Sequence, residues 1–131
     1  MKKLFIPISI LIILCSWSAP KTLKGTWQFA GGIYNGKRDT ASTDYKLQRQ
    51  YDKAHFNAFI IEPNEKPIKY QGGDYVTQAD TCFETETFTT QPSTLTGKTI
   101  HYHMQLRNDT LVLSGKLPKG LMVEEYWKKV M

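Results

Sequence analysis

The chain has 131 residues, a formal net charge of +5 and 40% hydrophobic residues, enough for one domain with a modest core and too little for two of ordinary size. Its 17 lysines and arginines are scattered rather than clustered, which argues against a nucleic-acid footprint. It has two cysteines, Cys15 and Cys82, and only Cys82 lies beyond the N-terminal segment described next, so an internal disulfide is excluded and core packing has to hold the fold.

Residues 1–18 read as a secretory leader. Met1-Lys2-Lys3 is a basic start, Leu4 to Leu14 is apolar except for Ser9 and the break at Pro7, and Ser16 and Ser18 stand at the small positions of a cleavage site before Ala19. The apolar run is about a dozen residues, short of the ~20 that a spanning helix needs, so no stable membrane span is expected after cleavage. Cys15 raises a lipoprotein anchor, but Leu14 stands where that signal wants a small residue. The mature chain is then 19–131, with charge +3 once the two leader lysines are removed. The expected destination is the periplasm or the medium.

Beyond the leader, apolar and polar residues alternate in short runs rich in β-branched and aromatic side chains, with no sustained helical period. Eight strands are expected, near 25–34, 44–51, 55–62, 68–78, 81–90, 98–107, 110–115 and 121–130. Turn signals separate them at Asn35-Gly36-Lys37, Asp52-Lys53-Ala54, Pro63 to Pro67, Gln91-Pro92-Ser93, Asn108-Asp109 and Pro118-Lys119-Gly120. All links are short, so neighbours in sequence should pair antiparallel. Eight such strands can bury one face by curling into a closed up-and-down barrel, which also removes the sheet edges. Gly72-Gly73 inside the fourth strand suggests a bulge or bend that helps closure.

Leu23-Lys24-Gly25-Thr26-Trp27 carries Gly-x-Trp on the first strand, and the chain ends Glu124-Glu125-Tyr126-Trp127-Lys128-Lys129-Val130. With His55-Phe56, Gly72-Gly73-x-Tyr75 and Phe83-Glu84, this order resembles short exported bacterial lipocalin-like proteins of calycin type. The resemblance spans nearly all of 19–131. It implies that Trp27 closes one barrel end, with Gly25, Trp127 and Lys129 as the other closure residues. Lys129 stands where the pattern has arginine; it keeps a cation–π contact but lacks the flat guanidinium. The resemblance implies a fold more than an activity.

Arg49 alternates in phase with Tyr45, Leu47 and Tyr51, which places a charge in the interior, where it must be paired or reach water. Glu84 is the expected partner. A small apolar or amphipathic ligand would then meet Arg49, Glu84, Tyr45, Tyr51, Phe56 and Tyr102, with Phe29, Tyr75 and Phe88 as further aromatic candidates. His101 and His103 share one strand face at a spacing that suits zinc, yet Ile100, Tyr102 and Met104 are the apolar face, so both histidines should point to solvent. His55 sits beside a turn and suits no axial haem position. Thr87, Thr89, Thr90, Ser93, Thr94 and Thr96 lack the flanks of a nucleophile motif, Glu84 and Glu86 alone define no substrate cleft, and Cys82 reads as a small strand residue. No metal, cofactor or catalytic residue is therefore expected.

Three readings follow. A ligand-binding module needs an open interior with a few convergent polar groups. A protein-interaction or inhibitor module, the alternative, needs a side-chain-filled barrel and an exposed apolar patch. An enzyme, the least supported, needs a cleft with coupled titratable groups.

Overall fold

The computed structural model describes residues 22–130. The leader expected over 1–18, its cleavage site and Cys15 lie outside the described residues. The strands are β1 (Gly25–Tyr34), β2 (Lys37–Thr40), β3 (Lys46–Tyr51), β4 (His55–Ile61), β5 (Ile68–Gln78), β6 (Thr81–Thr89), β7 (Thr99–Arg107), β8 (Thr110–Lys116) and β9 (Met122–Lys129). Consecutive strands from β3 to β9 pair antiparallel, and β9 returns to pair with β1. The result is a closed antiparallel barrel. Among the described residues no helix is long and apolar enough to cross a membrane.

The expected eight staves are present, and one is built from two pieces. β1 pairs through Gly25–Gln28 with β3 and through Gly31–Tyr34 with β2. Asn35 (φ 49°) and Gly36 (φ 80°) turn the chain in the left-handed region that a tight hairpin needs, so it comes straight back as β2. β2 is exposed along its whole length and carries no apolar alternation, which is why the pattern alone reads it as loop.

Three bulges shape the wall. Ladders shift between Phe29 and Gly31 on β1, between Ala58 and Phe59 against β5, and between Gly72 and Gly73 against β6. The extra residues are Ala30, Tyr70 and Thr87, and each flips or reorients the side chains around it. Gly73 lies at the third of these, as Gly72-Gly73 suggested. A Cβ there would sit 2.0 Å from the Thr85 backbone oxygen, so only glycine lets β5 and β6 approach. Gly73→Ala is expected to cost about 1–3 kcal/mol through forced backbone separation. A thermal melt that matches the parent would overturn that assignment.

The interior divides into two halves. At the end where β1 begins, Leu23, Trp27, Tyr51, Phe56, Tyr75, Cys82, Met104, Leu111 and Leu113 are packed solid. The segment before β1 acts as the plug. Leu23 is fully buried, and its carbonyl accepts the Trp27 Nε1–H at 2.8 Å. The Tyr75 hydroxyl donates to the Asp52 carbonyl, tying the β3–β4 turn to the same end. The opposite end, where Leu117 and Leu121 of the β8–β9 connection lean inward, is not filled.

Candidate functional site

Arg49 stands at the boundary between the halves. Its Nη1 donates to Glu84 Oε1 at 2.6 Å and Oε2 at 3.0 Å, and to the Tyr51 hydroxyl at 2.8 Å; that hydroxyl donates on to Glu84 Oε2 at 3.1 Å. Nη2 donates to Gln71 Oε1 at 3.1 Å. The guanidinium lies between two rings, 4.9 Å from the centre of Phe56 and 5.2 Å from that of Trp127. Burial works against its charge, but Glu84 beside it keeps Arg49 protonated far above any ordinary pH. Burial also pushes the Tyr51 hydroxyl well up, so it stays a neutral donor. Among the described residues the Arg49 Nε–H has no hydrogen-bond partner.

Above Arg49 opens a cavity of about 320 Å³. Phe29, Leu47, Leu117, Leu121, Val123 and Trp127 supply apolar wall; Tyr34, Tyr70, Gln71, Tyr102, Asp39 and Glu125 supply polar groups. Tyr34 donates to Glu125 Oε2 at 2.9 Å. Burial pushes the Glu125 carboxyl above the usual range, against the opposing pull of Arg49 and the Tyr34 hydrogen bond. The Trp127 indole N–H is directed toward Glu125 but falls short of hydrogen-bond geometry and is left buried without a full hydrogen bond among the described residues. Phe29 packs edge-on against Trp127 at 5.3 Å.

Of the residues expected around a ligand, Arg49 and Tyr102 line this cavity, and Phe29 joins them. Glu84, Tyr51 and Phe56 lie beneath, in the packed half: they hold Arg49 rather than face the open space. Tyr75 is deeper still, edge-on to Tyr51 at 5.0 Å. Tyr45 is not in the interior. It precedes β3, is 42% exposed, and borders a separate small pocket with Phe29, Leu47 and Asp39 to Ser42, beside the β2–β3 link. Phe88 is outside as well: Thr87 is the bulge residue, the alternation inverts after it, and Lys69 Nζ lies 4.8 Å from the Phe88 ring. Trp127 sits two residues inward of Lys129 and forms cavity wall, not barrel closure. Closure is made by Trp27, with Lys129 Nζ 5.4 Å from its ring and Gly25 opening β1 beneath it.

Tyr34, Tyr70, Gln71 and Glu125 were not legible as cavity residues. Tyr34 would face outward if alternation from Trp27 ran unbroken; the bulge at Ala30 turns it in. Glu125 shares the inward phase of Val123 and Trp127, a signal present in the sequence. His101 and His103 are exposed on the outer face, His101 edge-on to Phe83 at 4.7 Å. Cys82 is completely buried, and burial pushes its thiol far up, which leaves it unreactive.

Glu86 has a different task. Its Oε1 accepts from Ser93 (2.7 Å) and Thr96 (2.8 Å), its Oε2 from Gln71 (2.6 Å), and its carbonyl from the Gly97 N–H (2.8 Å). The β6–β7 ladder stops at Thr85–Thr99, and this carboxylate latches the connection across the gap. Burial would raise it, but the three side-chain hydrogen bonds hold it below the ordinary value. A depressed carboxyl stabilises the fold above its unfolded-chain pKa, and that contribution is lost as pH falls through the folded value. Glu86→Gln is therefore expected to be less stable than the parent near neutral pH, with the difference closing below about pH 4. Urea midpoints across pH check it; a constant difference would place the effect in packing instead.

Fold and cavity define the class: an eight-stave antiparallel meander closed into a barrel, with one end plugged and one end open. Residues 22–131 match the model of the domain of unknown function DUF4488, and the chain belongs to that family. No curated protein matches it in sequence. Among solved structures it is similar to a mutant of the fluorescent protein UnaG, at 11% identity and a TM-score of 0.42, over 82% of this chain and 96% of that one.

Proposed function

We propose that this protein is an exported binding module that holds one small apolar or amphipathic ligand in the open half of its barrel. The observation that carries this is the cavity itself. Its volume is at the lower end of small-molecule sites, its walls are mostly aromatic and aliphatic, and a few polar groups converge at its base. Two of these, Arg49 and Trp127, are nine-tenths or more buried, yet each keeps an N–H without a hydrogen-bond partner among the described residues. An unmet buried donor costs about 1–3 kcal/mol, which a ligand oxygen or an ordered water would relieve. The alternative, an inhibitor or accessory module, calls for a filled barrel, and the unfilled half weighs against it.

Native mass spectrometry of the protein from its own host tests the reading. A retained small molecule is expected as added mass, and Val123→Phe, which projects a ring into the cavity, should fold and come out empty. If the parent carries nothing and also fails to bind 2-phenylethanol and its amine and carboxylate analogues, the cavity is not a ligand site.

Export rests on the basic start, the short apolar run and Ser16-x-Ser18. Cleavage after Ser18 would leave the plug at Leu23 whole. The intact mass of the exported product is expected to begin at Ala19, within a residue or two. A start at Cys15 with acyl chains would establish a lipoprotein, and a full-length chain in the membrane fraction would refute cleavage.

A further inference from the structure

We propose that the ligand of this cavity carries an ammonium group, seated against Glu125 and the aromatic wall, on a small apolar body. This rests on the binding reading and adds the chemical class. Among the described residues three charged side chains line the cavity: Asp39, Arg49 and Glu125. The charge of Arg49 is already met by Glu84 at 2.6 Å. Glu125 accepts the neutral Tyr34 hydroxyl on Oε2, has the Trp127 indole N–H directed toward it without a full hydrogen bond, and has no cation within ion-pair distance among the described residues. The interior open to a ligand is therefore acidic.

A fatty-acid-like carboxylate would place a second negative charge beside Glu125 and above Glu84, in a setting where charges are weakly screened. An ammonium would do the reverse. It would pair with Glu125 through charge-assisted hydrogen bonds and lie among the rings of Phe29, Tyr34, Tyr70, Tyr102 and Trp127, whose faces attract cations. The unmet N–H groups of Trp127 and Arg49 call for an acceptor as well. A neutral oxygen on the ligand body, a hydroxyl or an ether, meets them without adding negative charge. Burial raises the Glu125 carboxyl, and the fold opposes this only in part, through the nearby charge of Arg49 and hydrogen bonding rather than a direct ion pair.

Calorimetric titration of the mature protein at neutral pH with 2-phenylethylamine, 2-phenylethanol and 3-phenylpropanoate tests this, since the three share a body and differ in the head. The amine is expected to bind roughly ten-fold or more tighter than the alcohol, with the carboxylate weakest. Glu125→Gln, nearly isosteric, is expected to abolish the amine's advantage over the alcohol. Carboxylate binding as tight as amine binding, or an amine preference that survives Glu125→Gln, overturns the inference while the binding reading stands. Failure of all three to bind overturns both. The ranking on the parent protein alone decides the matter if the variant does not fold.

Discussion

Arg49→Ala is expected to destabilise the barrel by about 3–5 kcal/mol, the range for removing one member of a buried pair. The reason lies with what stays behind. Glu84 is 3% exposed, and without Nη1 its carboxylate keeps the Tyr51 hydroxyl as its one remaining hydrogen-bond donor in this network. Phe56 and Trp127 lose the cation between them, and Gln71 loses a donor. The pairing is also end-on, through a single guanidinium nitrogen, so it is not the two-pronged geometry that makes such pairs strongest. Replacing both partners with methionine should therefore recover most of the loss, because an apolar pair of similar volume is often neutral or better. Chemical denaturation of parent, single and double variants gives the coupling directly. A single variant within about 1 kcal/mol of the parent would show that the pair does not hold the fold. If the double variant is stable but no longer retains ligand, Arg49 belongs to the site; if it still binds, Arg49 is a floor and nothing more.

Trp27→Ala is expected to cost about 3–5 kcal/mol, a large part of the ~5–15 kcal/mol that holds a domain of this kind. Trp27 is 4% exposed, and its ring is held from three sides: by Leu23 through the 2.8 Å hydrogen bond, by the packed aromatics of the closed end, and by Lys129 above its face. Deleting it leaves a cavity that a closed barrel cannot collapse, and it frees the segment that plugs the end. Trp27→Phe keeps most of the ring but drops the N–H, so it should lose less, with the unmet Leu23 carbonyl adding about 1 kcal/mol. A melt of the alanine variant close to the parent would remove Trp27 from the closure.

Alternation and turn chemistry were enough for much of this protein. They placed β1 and β3 to β9 within a residue or two and implied a closed meander. They also put Arg49 in phase with Leu47 and Tyr51, inside the wall. Those features depend on the two-residue side-chain period and on local turn preferences, both written in neighbouring residues. The partner of Arg49 was legible as Glu84 because both fall on the inward phase of strands that a short meander brings face to face across the barrel. The tertiary structure alone decided which aromatics face the cavity. One extra residue inverts every side chain after it, and bulges arise where a curling sheet has to close, not where the local sequence demands them. Ala30 turned Tyr34 in to meet Glu125, Tyr70 became an added wall residue, Thr87 sent Phe88 out, and Tyr45 came to lie outside the cavity, beside the β2–β3 link. The plugged and open halves were settled the same way, by Leu23 burying fully at one end while Leu117 and Leu121 at the other only line the cavity.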